Sequence, residues 1–159
     1  MNRGRIAVIA LLLAGVATGA GVWYAQQYGF YDRIDPASPA AAVSIRTADG
    51  SVPLDMIGFE GIDADSSPIR WRACFRLQGN LPADAVPFAD ATPLNGPGWF
   101  DCYDAARIGA DLERGAARAV LAQPEIRPDV DRVLAIYPDG RAYGWHQFND
   151  KTPERGVMD

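Results

Sequence analysis

The residues best suited to chemistry lie on one strand-like segment, PIRWRACFRLQ, residues 68–78. Apolar and polar side chains alternate there, which is the pattern of a half-buried β-strand. One face of this strand carries Cys74 together with Arg70, Arg72 and Arg76. Guanidinium groups form paired hydrogen bonds with carboxylates and phosphates. The pattern leaves three interpretations open: an anion-binding face, a face that forms ion pairs within the protein, and a solvated face.

The second cysteine, Cys102, lies 28 residues after Cys74 in the segment WFDCYD. The N-terminus indicates export, and in exported domains an isolated cysteine pair most often forms a disulfide. A bridge would carry Asp101 and Asp104 to the arginine face, where we expect ion pairs. Two separate buried thiols remain an alternative, as does a thiol or metal site, although the chain has no CxxC motif.

The sequence contains no recognisable catalytic set. His146, the single histidine, stands in AYGWHQF, and an ordinary strand histidine is the default interpretation. With Cys74 and Cys102 it could form a copper or zinc site, but no close ligand spacing supports one. A GxSxG elbow and a phosphate-binding glycine loop are also missing from the sequence. We therefore expect no catalytic residue, no metal and no cofactor.

An uncharged apolar segment, residues 6–24, precedes all of these residues. At about 1.5 Å per residue it is long enough to cross a lipid bilayer as a helix. Arg3 and Arg5 come before it, so the positive-inside rule keeps the N-terminus in the cytoplasm and exports the remainder. A cleaved signal peptide is the alternative to a permanent anchor, and it also exports the remainder.

The span carries small residues on one face. Gly15 and Gly19 form a GxxxG motif, and Ala10 and Ala14 add to it. Such faces let transmembrane helices approach one another closely, which predicts a protein partner in the membrane. The chain has a formal net charge of −5. This charge argues against nucleic acid as a partner and against electrostatic docking on anionic lipid.

The remainder predicts a single α+β domain in which one main helix packs on an antiparallel sheet. The helix is expected at 101–123, with Asp101 or Asp104 as its cap and an apolar face at three- and four-residue spacing. A proline-rich loop is expected at 79–98. The strands are expected at 42–47, 51–58, 69–77, 131–137 and 141–148, the last two joined by a turn at Pro138-Asp139-Gly140.

The predicted organisation has four parts. They are a cytoplasmic N-terminus with a transmembrane helix at 1–30, a linker at 31–42, an exported domain at 43–150 and a flexible tail at 151–159.

Three segments of this chain, PIRWRACF, GWFDCYDA and IYPDGRAYGWHQ, resemble a family of small bacterial single-span proteins of unknown function. The resemblance covers nearly the whole chain. It implies an inner-membrane protein with a periplasmic domain, and it supplies no activity and no catalytic residue.

The leading hypothesis is therefore a non-catalytic accessory or assembly subunit of a larger inner-membrane complex. The alternative is a periplasmic ligand-binding or sensing domain that uses the proline-rich loop and the arginine face. A third hypothesis is thiol or metal handling through Cys74 and Cys102.

Overall fold

The computed structural model describes residues 2–149, so the predicted tail at 151–159 lies outside the described residues. The chain begins with helix α1 (Arg3–Tyr24), which continues into one π-helical turn (Ala25–Gly29). Asn2 caps the start of α1 by accepting a hydrogen bond from the amide of Gly4. None of the residues of α1 is buried within the structure.

Within residues 2–149, eight strands and a second helix follow. They are β1 (Asp32–Ile34), β2 (Ser44–Thr47), β3 (Gly50–Pro53), β4 (Met56–Asp63), β5 (Arg72–Leu77), α2 (Ala105–Glu113), β6 (Arg118–Arg127), β7 (Val130–Ile136) and β8 (Arg141–Phe148). Six strands form one antiparallel sheet in the order β1-β4-β5-β8-β7-β6, and β2 pairs with β3. The predicted α+β class is thereby confirmed.

The six-stranded sheet is covered on both faces. On one face, Phe75 of β5 and Leu134 of β7 belong to the same apolar core as Ile45 of β2. On the other face, Trp145 of β8 belongs to a second core with Ile108 of α2. Strands buried on both faces lose the alternation of polar and apolar residues, and all of β7 is accordingly buried.

The predicted extent of the helix, 101–123, is wrong: α2 covers only Ala105–Glu113, less than half of the predicted length. The helix ends because Gly115 adopts a positive φ of 73°, which glycine tolerates without a steric penalty. The chain then enters β6, where the alternate residues Val120 and Ala122 are fully buried. Apolar spacing in an alanine-rich segment fits both a helix and a strand, and packing on β7 decides for the strand. Pro124 is tolerated because β6 is an edge strand with an irregular register there.

The predicted strands occur, with two changes, and two strands, β1 and β6, were not predicted. The strand expected at 51–58 is split into β3 and β4. The strand expected at 69–77 starts only at Arg72, because the chain turns after Pro68. The hairpin of β7 and β8 is confirmed. The segment 31–42, expected to be a linker, contains β1, which pairs with β4 at the edge of the sheet.

Candidate functional site

Arg72 is the most deeply buried arginine of the predicted arginine face, with 3% of its surface exposed. Its guanidinium donates hydrogen bonds only to main-chain carbonyl oxygens, at 2.7–3.0 Å, among the described residues. They belong to Ile69, Trp71, Leu94 and Asn95. Burial lowers the pKa of Arg72. Arg72 therefore holds the end of the proline-rich loop against the start of β5. Four of its five N–H groups are bonded to carbonyl oxygens, so no pair of them is left for an anion.

The other two arginines also have contacts within the protein. Arg76 donates a hydrogen bond of 2.8 Å to the carbonyl of Asp139. Arg70 lies over the rings of Phe30 and Tyr31, at 5.3 and 5.4 Å from their centroids.

The expected ion pairs with Asp101 and Asp104 are absent from residues 2–149. Instead, a carboxylate oxygen of Asp104 accepts a hydrogen bond from the amide of Arg107 at 3.0 Å and caps α2. The arginines of this strand therefore contact main-chain carbonyls and aromatic rings instead of the two acidic residues.

Cys74 and Cys102 lie at disulfide-bonding distance, with Cα atoms 6.3 Å apart. The bond would tie the turn before α2 to the middle of β5. Among the described residues, no group of three histidine, cysteine or acidic side chains is placed to hold a metal ion. The distance between the two cysteines is that of a disulfide, and His146 lies in a different part of the sheet.

His146 belongs instead to a row of side chains that crosses β8, β7 and β6 at one end of the sheet and includes one residue just before β5. It lies opposite Arg132 in the pairing of β7 with β8, and Arg132 lies opposite Gln123 in the pairing of β6 with β7. Trp71 precedes β5 and stacks on the ring of His146, with centroids 5.1 Å apart. The guanidinium carbon (Cζ) of Arg132 lies 4.0 Å from the centroid of the Trp71 ring.

Hydrogen bonds fix the orientation of this row. Arg132 donates from Nε to His146 Nε2 at 3.0 Å and from Nη1 to the Gln123 side-chain oxygen at 2.6 Å. Because Nε2 of His146 accepts, its Nδ1 carries the proton and donates to the carbonyl of Pro68 at 2.8 Å. Burial, with the charge of Arg132, lowers the pKa of His146 to about 3. His146 is therefore neutral at physiological pH and orients Arg132 instead of acting as a base.

A surface pocket of about 610 Å³ lies over this row. Arg132 and Arg127 contribute positive charge to its lining, and Asp63 and Asp65 contribute negative charge. Burial lowers the pKa of Arg132 to about 10, so its guanidinium still carries a full charge near neutral pH. A buried arginine beside a pocket is the arrangement with which proteins recognise a carboxylate.

The sequence analysis missed this row, although the sequence holds a signal for it. In DRVLAIY, Arg132 occupies the same face of the strand as Leu134 and Ile136. An arginine on an apolar face either breaks the strand pattern or is buried with partners. Those partners, Gln123 and His146, are brought beside it by the pairing of strands, which single-sequence periodicity does not reveal.

A second region joins α1 to the domain. Trp99 packs on the end of the helix, where its ring stacks with that of Tyr28 at 6.4 Å, and its indole N–H donates to the main-chain carbonyl of Gln27. The side-chain oxygen of Gln27 accepts from the amide of Gly98 at 3.2 Å. Arg33 also lies over the ring of Trp99, at 5.0 Å from its centroid. We call these five residues the junction.

The helix above the junction is long and apolar enough to cross a membrane, and it is the one such helix in residues 2–149. Its small residues face open space: nothing lies within 4 Å of a Cβ placed on Gly15 or Gly19. Ala10 and Ala14 lie on the same exposed helix.

Fold and sequence together define a class: an α+β domain behind one helix that is apolar enough to span a membrane. Residues 42–155 match a family of unknown function (DUF6446), and the chain belongs to this family. The match covers the domain and begins after α1 and β1. No curated protein and no solved structure matches the chain.

Proposed function

We propose that this protein is a non-catalytic accessory or assembly subunit, anchored in a bacterial inner membrane beside a larger complex. Its N-terminus lies in the cytoplasm, its domain lies in the periplasm, and one face of α1 contacts a partner helix. Lipid surrounds the rest of α1.

The junction is the observation that carries this proposal. A domain on a free linker would sample many orientations, whereas Trp99, Gln27 and Tyr28 fasten this domain directly to the end of the helix. The domain therefore presents a fixed surface close to the membrane. A subunit that docks beside a membrane complex needs such a fixed placement, and a soluble binding domain does not.

The small-residue face supports the same proposal. Gly15 and Gly19 leave room for the backbone of a second helix, and the described chain offers nothing to fill it. Arg3 and Arg5 before the span support the orientation.

A pull-down from the native membrane in mild detergent tests the subunit role. Full-length protein should recover one membrane complex in constant stoichiometry, with residues 2–29 still on the bait by mass spectrometry. The double variant Gly15→Leu with Gly19→Leu should reduce recovery of the complex at least five-fold, because two larger side chains block close approach. Ala20→Leu is the matched control, since position 20 lies off the side of the helix that Gly15 and Gly19 share.

Three results would contradict the proposal. They are a bait that elutes alone, a bait shortened by removal of its span, and equal recovery with the double variant and the control.

The orientation needs a separate measurement. In intact spheroplasts, a membrane-impermeant maleimide should label Ser51→Cys on exposed β3 and should not label Asn2→Cys. The reverse pattern would place the domain in the cytoplasm and exclude the proposed topology.

A second candidate function is a periplasmic ligand-binding or sensing domain. The specific observation in its favour is the charged pocket over Arg132, and not the arginine face of β5, whose Arg72 is occupied by carbonyl groups. Thiol or metal handling has no comparable support in the described residues.

A further inference from the structure

The pocket over the Trp71–His146–Arg132 row contains a donor edge that the protein does not use. Arg132 uses Nε and one N–H of Nη1 within the row. Its Nη2 has no acceptor within residues 2–149, and this nitrogen is accessible to solvent. A residue that is only 7% exposed thus directs its free N–H groups to the pocket.

An acidic group with spare capacity lines the same pocket. One carboxylate oxygen of Asp63 accepts from the amide of Ala64 at 2.8 Å. The other has no hydrogen-bond donor in the part of the chain that the structure describes. Burial raises the pKa of Asp63, while the charges of Arg132 and Arg127 lower it in part.

The two charges influence each other without forming an ion pair. No ion pair joins Asp63 to Arg132 or Arg127 among residues 2–149, although all three line one pocket. Opposite charges that share a pocket and stay apart leave a space that a molecule carrying both charges can bridge. A simple dianion would meet the two aspartates, and a simple cation would meet the two arginines.

We propose that this pocket binds a free α-amino acid in its zwitterionic form. The carboxylate is held by Arg132 Nη2 with Arg127, and the ammonium group is held by Asp63 with Asp65. Trp71 and His146 are positioning residues. The ring of Trp71 lies against the guanidinium of Arg132, and His146 accepts a hydrogen bond from its Nε. The site is independent of whether a partner helix occupies the face of α1.

The test is binding by full-length protein in detergent micelles. Glycine and the nineteen standard L-amino acids are screened at millimolar concentration by thermal shift, and those that raise the Tm are titrated by calorimetry. Three matched probes are compared with each amino acid that binds. Its N-acetyl derivative lacks the ammonium group, its α-amide lacks the carboxylate, and succinate is a dianion. At least one amino acid should bind, and each matched probe should bind at least ten-fold more weakly.

Variants assign the binding to this pocket. Asp63→Asn and Arg127→Gln should each weaken binding at least ten-fold. Arg127 is exposed, and asparagine at the half-buried position 63 keeps an oxygen that can accept from the amide of Ala64. Their controls, Asp49→Asn and Arg46→Gln, change exposed residues outside the pocket and should leave the affinity unchanged. Arg132→Lys should abolish binding, since an ammonium group cannot keep the bonds to His146 and Gln123 and also reach the ligand.

The inference is overturned if no amino acid binds, if succinate binds better than every amino acid, or if the pocket variants bind like their controls.

Discussion

Gly144 is the small residue that makes room for Trp71, and so for the row that Trp71 forms with His146 and Arg132. The indole lies flat across β8 because position 144 has no side chain. A Cβ on Gly144 would come within 2.6 Å of Trp71 and within 2.8 Å of Leu134. Gly144 has an ordinary φ, so the need for glycine is steric and not conformational.

Gly144→Ala should therefore destabilise the domain by about 1–3 kcal/mol, the usual cost of overpacking a core. Urea unfolding followed by circular dichroism measures the change. Gly109→Ala is the control, because a Cβ there meets only Pro93, at 4.0 Å, and alanine favours the helix. Equal stability of Gly144→Ala and the wild type would show that Trp71 does not lie where the structure places it.

Because of His146, the free energy of unfolding depends on pH in a range where no other type of side chain has its ordinary pKa. His146 is the single histidine, and its pKa falls from 6.5 to about 3 on folding. Below pH 6.5 the imidazole is therefore protonated in the unfolded chain, whereas in the folded chain it stays neutral down to a pH of about 3. The contribution is complete above pH 6.5 and is lost as pH falls toward 3.

Between pH 7 and 5, the wild type should lose about 2 kcal/mol more of its unfolding free energy than His146→Phe loses. Urea unfolding of both proteins at the two pH values measures the difference. The comparison uses the change with pH and not the absolute stability, because the substitution also removes two hydrogen bonds. An identical pH dependence in the two proteins would mean that His146 titrates normally and does not accept from Arg132.

At the scale of elements, the segment around Cys102 has little regular structure of its own. It reaches the sheet through the disulfide with Cys74 on β5 and through the buried rings of Phe100 and Tyr103. The bridge closes 28 residues, which include the whole proline-rich loop at 79–98. Its main effect is to restrict the unfolded chain.

Cys74→Ala with Cys102→Ala should lower the unfolding free energy by about 3–4 kcal/mol in the chain-entropy model. Urea unfolding with and without dithiothreitol provides the internal control: the reductant should destabilise the wild type and leave the double variant unchanged. Two free thiols in protein purified without reductant would refute the bridge.

The elements also show what sequence patterns can and cannot predict. The β7–β8 hairpin was predictable because Pro138-Asp139-Gly140 specifies a turn between two β-rich runs. The division at Gly115 was not, since the alanines after it suit a helix and a strand equally. The same limit applies to the site. A single sequence shows that Arg132 is on an apolar face, but only the strand register places it beside His146 and Gln123.

At the scale of the whole molecule, the junction decides how the domain and the span move together. Trp99 contributes the largest share of it, through one hydrogen bond and contacts with several aromatic rings. These include Tyr28, Tyr31 and Phe100.

Trp99→Ala should detach the end of the helix from the domain. Hydrogen exchange in micelles should then become at least ten-fold faster in residues 25–31 and at Gly98, with the exchange of β5, β7 and β8 unchanged. Phe148→Ala is the control, because it removes an exposed aromatic ring elsewhere on the domain. Unchanged exchange at Gly98 would show that the junction does not form.

The position of β1 has a mechanical consequence. It has three residues, pairs with β4 alone and follows the span after only a few residues. Once the contacts of the junction have broken, a force that pulls on α1 reaches β1 before any other strand of the sheet. The first part of the sheet to rupture is therefore its shortest and outermost strand. A machine that pulls on α1 would therefore separate β1 from β4 while the pairing of β5, β7 and β8 is still in place.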